Sequence, residues 1–161
     1  MRKLLAVAVL VPLFLMADTG YTRAPDFARV DDSGHKLQLS KLKGKVVLLD
    51  FWATWCTGCK QEIPWYVEFE SKYKKSGLDA VGVAMDDEGW QVVKPFLKDH
   101  LHLNYPVVVG DKTLARQFGG VDMLPVTLLI DREGRIAYSH TGVVNRDEFE
   151  KKIQELLAGA R

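Results

Sequence analysis

The stretch Val46-Val47-Leu48-Leu49-Asp50-Phe51-Trp52-Ala53-Thr54-Trp55-Cys56-Thr57-Gly58-Cys59-Lys60 decides how this chain is read. Val46 to Trp52 is a near-continuous apolar run, which predicts a central strand covered on both faces. From Gly58 to Lys75 the apolar positions Ile63, Tyr66, Val67 and Tyr73 recur at helical spacing, and Gly77 supplies a helix stop. Pro64 lies inside that pattern and predicts a kink about one turn from the helix start. Cys56 and Cys59, the only two cysteines, therefore stand where a strand gives way to a helix. Two residues between cysteines can close a small disulfide or hold a metal. A metal site of this kind usually needs a second ligand pair at similar spacing, and the sequence has none. The pair reads as a thiol–disulfide redox centre.

Outward from this stretch, elements alternate. Phe27 to Val30 and Lys36 to Leu39 flank the turn-rich Asp31-Asp32-Ser33-Gly34-His35, which suggests a hairpin. Leu78 to Met85, Tyr105 to Val109 and Val126 to Ile130 are further strands, and Arg135 to Thr141 follows the turn Asp131-Arg132-Glu133-Gly134. Trp90, Val93, Leu97 and Leu101 keep a helical phase, with Pro95 implying a helix that is bent or begins late. Thr113 to Phe118 is a short helix, and Phe149, Ile153, Leu156 and Leu157 place a last amphipathic helix over 145–158. Strand–helix alternation closed by a hairpin and helix describes an α/β sandwich with a mixed sheet.

At 161 residues the chain is one domain by length, with no repeat or low-complexity tract, and its net charge of +1 gives no support for a nucleic-acid surface. Arg2 and Lys3 precede an apolar stretch from Leu4 to Ala17, broken by Asp18-Thr19-Gly20. Residues 1–19 thus have the build of a secretory signal peptide or a membrane anchor, and 20–161 form the folded domain. The stretch is short for a bilayer span of roughly 20 residues, and Ala17-Asp18-Thr19 is the best cleavage candidate. Export places the protein in a periplasmic or outer-face location. A reactive dithiol there must be kept reduced by a dedicated electron source.

The chemistry follows from position. A cysteine reacts as its thiolate, and free cysteine titrates near ~8.5. Cys56 faces the unpaired backbone N–H groups and positive dipole end of the following helix, which favour the anion. Cys59, one turn further in, should be more buried and less acidic. Cys56 is therefore the attacking thiolate and Cys59 the resolving thiol. A disulfide closing so short a loop stabilises a fold by only roughly 2 kcal/mol, which argues against a structural staple. Asp50, on the same strand face as Trp52, is a candidate to accept the Cys59 proton, because burial raises a carboxylic acid's pKa. Trp55 and Leu124 are expected to line an apolar rim for a docking partner segment, while Trp52 packs in the core. Pro125 opens a strand, where proline is tolerated.

The run Phe51-Trp52-Ala53-Thr54-Trp55-Cys56-x-x-Cys59 closely resembles the thioredoxin superfamily, and its exported TlpA/ResA-like branch in particular. Ala24-Pro25-Asp26-Phe27, Leu42-Lys43-Gly44-Lys45-Val46-Val47, Pro64, Leu124-Pro125 and Leu129-Ile130-Asp131-x-x-Gly134 extend the likeness over residues 24–158. The resemblance implies a thioredoxin-like sandwich with an N-terminal hairpin extension and a central helical insertion around 86–101. It also implies a cis-Pro125 facing the dithiol. The implied activity is reduction of disulfides in exported proteins, apocytochromes c included, with electrons from a membrane thiol donor and no cofactor beyond the Cys56–Cys59 disulfide. An acidic residue after the second core strand assists the buried cysteine in some members; Glu88 is the nearest candidate and Asp87 the next. Two positions depart from the branch: Gly58 replaces the usual proline, and Asp50 is like that of thioredoxin itself.

Three other functions make their own demands on these residues. A peroxiredoxin-type peroxidase would need threonine or serine three residues before the reactive cysteine, where Ala53 stands. Haem attachment would need histidine after Cys59, where Lys60 stands. A Cu(I)-binding or metallochaperone module could use both sulfurs with His35, His100, His102 or His140 as third ligand.

Overall fold

The computed structural model describes residues 22–100 and 102–159. The signal or anchor segment expected at 1–19, and Leu101 of the expected helix, lie outside the described residues.

The quoted apolar run forms β3 (Val46–Trp52), and every one of its residues is buried. Two-sided burial follows from its place at the centre of a five-stranded sheet ordered β5-β4-β3-β6-β7. There β4 (Leu78–Ala84) and β5 (Val107–Val109) run parallel to β3, whereas on its other side β6 (Val126–Ile130) is antiparallel to β3 and β7 (Ile136–Thr141) antiparallel to β6. The hairpin β1 (Ala28–Val30) and β2 (Lys36–Gln38) forms its own two-stranded sheet. It docks on the β5 edge, where Asp32 N–H donates to the Val107 carbonyl and Asp32 Oδ1 accepts from Val107 N–H.

Alternation along β3 divides the core. Val47, Leu49 and Phe51 face the hairpin residues Phe27, Leu37 and Leu39, together with Leu114 of α3 (Lys112–Gln117). Val46 and Leu48 face Tyr66 and Phe69 of α1 (Thr57–Tyr73) and Phe149 and Ile153 of α4 (Arg146–Leu157). Trp52 joins the same side in a cluster with Cys56, Cys59, Ile63 and Val93 of α2 (Trp90–His100). This is the thioredoxin-like α/β sandwich expected from the sequence, with its hairpin extension and with α2 as the central insertion.

Both prolines inside helices are tolerated where they fall. Pro64 lies within the continuous α1 and is exposed. Pro95 neither delays nor ends α2, which begins at Trp90. Pro95 and Gln91 are both exposed, so the ladder bond a proline cannot make is lost on the solvent side. Among the described residues no helix is long and apolar enough to cross a membrane.

Candidate active site

Cys56 is the N-cap of α1. Its backbone is extended (φ −81°, ψ 109°), and its Sγ accepts the Cys59 backbone N–H at 3.2 Å. The two sulfurs are joined in a disulfide with Cα atoms 5.4 Å apart. Cys59 is fully buried, and Cys56 retains 5% exposure at the helix end. Of the two residues, Cys56, expected to attack, is the slightly more exposed, and Cys59, expected to resolve, the fully buried one.

The loop leading into Cys56 is held by a residue that sequence reading passed over. Asp86 is buried just after β4, and its carboxylate accepts both the backbone N–H and the hydroxyl of Thr54. The aids to the buried cysteine that the family resemblance implies are Glu88 and Asp87, from the same turn. The structure places both on the exposed surface. It turns a different pair of carboxylates inward.

That pair is Asp50 and Glu62, each fully buried. Asp50 sits in mid-β3, opposite Gly82 on one side and Thr127 on the other. Neither of its oxygens has a hydrogen-bond partner among the described residues. Burial, and then the nearby Glu62 charge, push its pKa well above the usual carboxylate range. Glu62 lies three residues past Cys59, on the same helix face. Its Oε1 accepts Val144 N–H at 2.6 Å, while its Oε2 has no partner. Burial raises its pKa to about 7, against the lowering effect of the Val144 bond. Tyr66, one turn beyond Glu62, shares a 2.9 Å hydroxyl hydrogen bond with Thr127. Two buried acids, both biased toward the protonated form, therefore lie close together, Glu62 on the disulfide helix and Asp50 on β3. Asp50 was expected from sequence. Glu62 was missed, though its spacing from Cys59 was the available signal.

One loop closes the other side. Gly142 N–H donates to the Pro125 carbonyl at 2.8 Å, Val143 packs over Gly58, and Val144 binds Glu62. A Cβ on Gly58 would lie 2.9 Å from Val143 Cγ2 and 3.4 Å from Pro125 Cδ, so glycine is what lets these three pieces meet. Pro125 is thereby placed against the dithiol turn, and its bond to Leu124 is cis. Trp52 is buried, whereas Trp55 is 68% exposed at the rim. Among the candidate copper ligands, His35 and His102 are exposed and His140 stacks on Tyr138. Among the described residues no group of three or more His, Cys, Asp or Glu is arranged to hold a metal ion.

Residues 21–139 match the model of the AhpC/TSA family. The chain belongs to the AhpC/TSA family. Among curated members it is similar to the thiol-disulfide oxidoreductase ResA of Geobacillus kaustophilus, at 30% identity over 96% of either chain. It is also similar to ResA of Bacillus cereus, at 36% identity over 83% of this chain and 76% of that one. A solved thiol:disulfide interchange protein of the thioredoxin family, from Chlorobium tepidum, superposes with a TM-score of 0.77 at 31% identity, covering 88% of this chain and 99% of the other. This AhpC/TSA-family chain is a ResA-like thiol–disulfide oxidoreductase. The position a peroxidase would fill with threonine or serine is the fully buried Ala53.

Proposed function

We propose that this oxidoreductase works as a reductase of disulfides in exported proteins, apocytochromes c among them, at the outer face of the inner membrane. The observation that carries the reading is the pairing of a helix-capping disulfide with two buried carboxylates, of which Asp50 has no hydrogen-bond partner and Glu62 only the Val144 N–H among the described residues.

In the reduced enzyme the Cys56 thiolate attacks one sulfur of the substrate disulfide. A Cys56–substrate disulfide forms, and the other substrate sulfur leaves as a thiolate that takes a proton from water. Cys59 then loses its proton to the Asp50–Glu62 pair. Its thiolate attacks Cys56 Sγ, re-forming the Cys56–Cys59 disulfide and expelling the second substrate sulfur as a thiolate. Two electrons pass to substrate, and a membrane-bound dithiol protein returns them to the enzyme by the same exchange. No other cofactor is required. The raised pKa of Glu62, about 7, suits this role, since a base near the working pH can both take and return a proton.

The purified protein is expected to catalyse insulin reduction by dithiothreitol. Cys56→Ala should abolish turnover, and Cys59→Ala should accumulate the mixed disulfide. Tight Cu(I) binding without turnover would transfer the site to the copper reading. A high reduction potential would make it an oxidase instead.

A further inference from the structure

A groove of about 810 Å³ opens beside the disulfide, between the Trp55 turn, the segment after β4 and the stretch leading into β6. Its size falls in the range of ligand sites, about 300–1,000 Å³. Trp55 and Met123, both 68% exposed, stand along it. They are two of the four large hydrophobic side chains left exposed among the described residues; a third, Val143, lies over Gly58. Leu124 also lines the groove, and its backbone N–H and C=O make no hydrogen bond among the described residues, because β6 begins only at Val126. Exposed apolar side chains beside an unpaired main-chain donor and acceptor fit an extended polypeptide segment.

The charges of this groove are one-sided. Asp86, Asp87, Asp111 and Asp122 line it against the single base Lys112. Two of the four carboxylates are engaged within the protein: Asp86 by Thr54, and Asp111 by Arg29 at 3.0 Å and by Leu114 N–H. Asp87 and Asp122 are exposed, and neither forms an ion pair or hydrogen bond among the described residues. The base nearest the sulfurs along the chain, exposed Lys60, does not line the groove; its ammonium lies over the Phe96 ring. A bound segment therefore meets an attractive site for a cation in the groove.

We propose that this groove selects substrate segments in which a lysine or arginine lies a few residues from the disulfide cysteine, its charge placed against Asp87 and Asp122 while neighbouring apolar side chains cover Trp55 and Met123. This rests on the disulfide-reductase reading and specifies its substrate class. Solvent-facing charge pairs are individually weak, so the effect is a preference rather than a requirement.

The test uses the full chain in its reduced form and three synthetic peptides. Each carries one cysteine in a disulfide with a neutral fluorescent thiol, and they differ only in having lysine, glutamine or glutamate at positions two to four from that cysteine. The second-order rate constants should fall in the order lysine, glutamine, glutamate, with the lysine peptide about three- to tenfold above glutamate at low salt. The spread should shrink in 0.5 M salt. Asp87→Asn combined with Asp122→Asn should bring the lysine peptide down to the glutamine rate, and Asp122→Glu should keep the preference. Equal rates for the lysine and glutamate peptides, or a preference that survives the double substitution, would overturn the inference. No reaction with any of the peptides would overturn the reductase reading, and this inference with it.

Discussion

Replacing Glu62 by glutamine should remove a pH dependence of stability that the wild-type fold carries. The side-chain carbonyl of glutamine can still accept Val144 N–H, so the substitution removes the titration while keeping the one hydrogen bond Glu62 makes. In the unfolded chain this carboxyl titrates near 4.5, and in the fold near 7. Below pH 4.5 both states are protonated, and burial of the acid carries no ionic penalty. Between 4.5 and 7 the unfolded chain is ionised while the fold still holds the proton, so unfolding releases a proton and stability falls as pH rises. Above 7 both states are ionised and the full penalty remains. At about 1.4 kcal/mol per pH unit the interval is worth at most about 3 kcal/mol. For a domain of this size that is about 6 to 12 °C in Tm. Asp50 is shifted in the same direction and adds its own slope, so the measured quantity is the difference between wild type and variant. Urea denaturation of the oxidised proteins at half-unit steps from pH 4 to 8 reads it directly. The two curves of ΔG against pH should converge at the acid end and separate through 4.5–7, with Glu62→Gln the more stable at pH 8. Parallel curves across that window would refute the assignment of a raised pKa to Glu62.

Two further outcomes follow from the same geometry. Gly58→Ala gains helix propensity of about 1 kcal/mol but drives a Cβ to 2.9 Å from Val143 Cγ2, so alone it should be near neutral. In a Val143→Ala background it should stabilise by about 1 kcal/mol, and a double-mutant cycle with no coupling would dismiss the contact. Asp86→Ala leaves the Thr54 N–H and hydroxyl without their acceptor and should cost about 3 kcal/mol in urea denaturation, with Asp86→Asn costing less. A loss under 0.5 kcal/mol for the alanine variant would mean that water replaces the carboxylate freely.

Much of the fold was legible because its signals are local. The apolar run Val46 to Trp52 and the five residues of β6 were read with their observed bounds. The final helix came within a residue of its observed span. Periods of two and about 3.6 survive any tertiary arrangement. Pro95 does not delay the start of α2, because its cost depends on whether the lost hydrogen bond would face protein or solvent, and sequence does not report that. The exposure of Glu88 has a related cause. Three acidic residues follow β4 in a row, and nothing local says that Asp86 turns inward while Asp87 and Glu88 stay in water.

By itself, then, the sequence determined the strand-to-helix junction and the two sulfurs at it, since spacing along one backbone sets both. Only the tertiary structure decided what surrounds them. It brought the loop carrying Val143 and Val144, which follows the edge strand β7, onto Gly58 and Glu62, and set Asp50 and Glu62 close together in one desolvated space. Desolvation and charge coupling depend on which distant segments exclude water together. That property belongs to the packed molecule and to no single stretch of its chain.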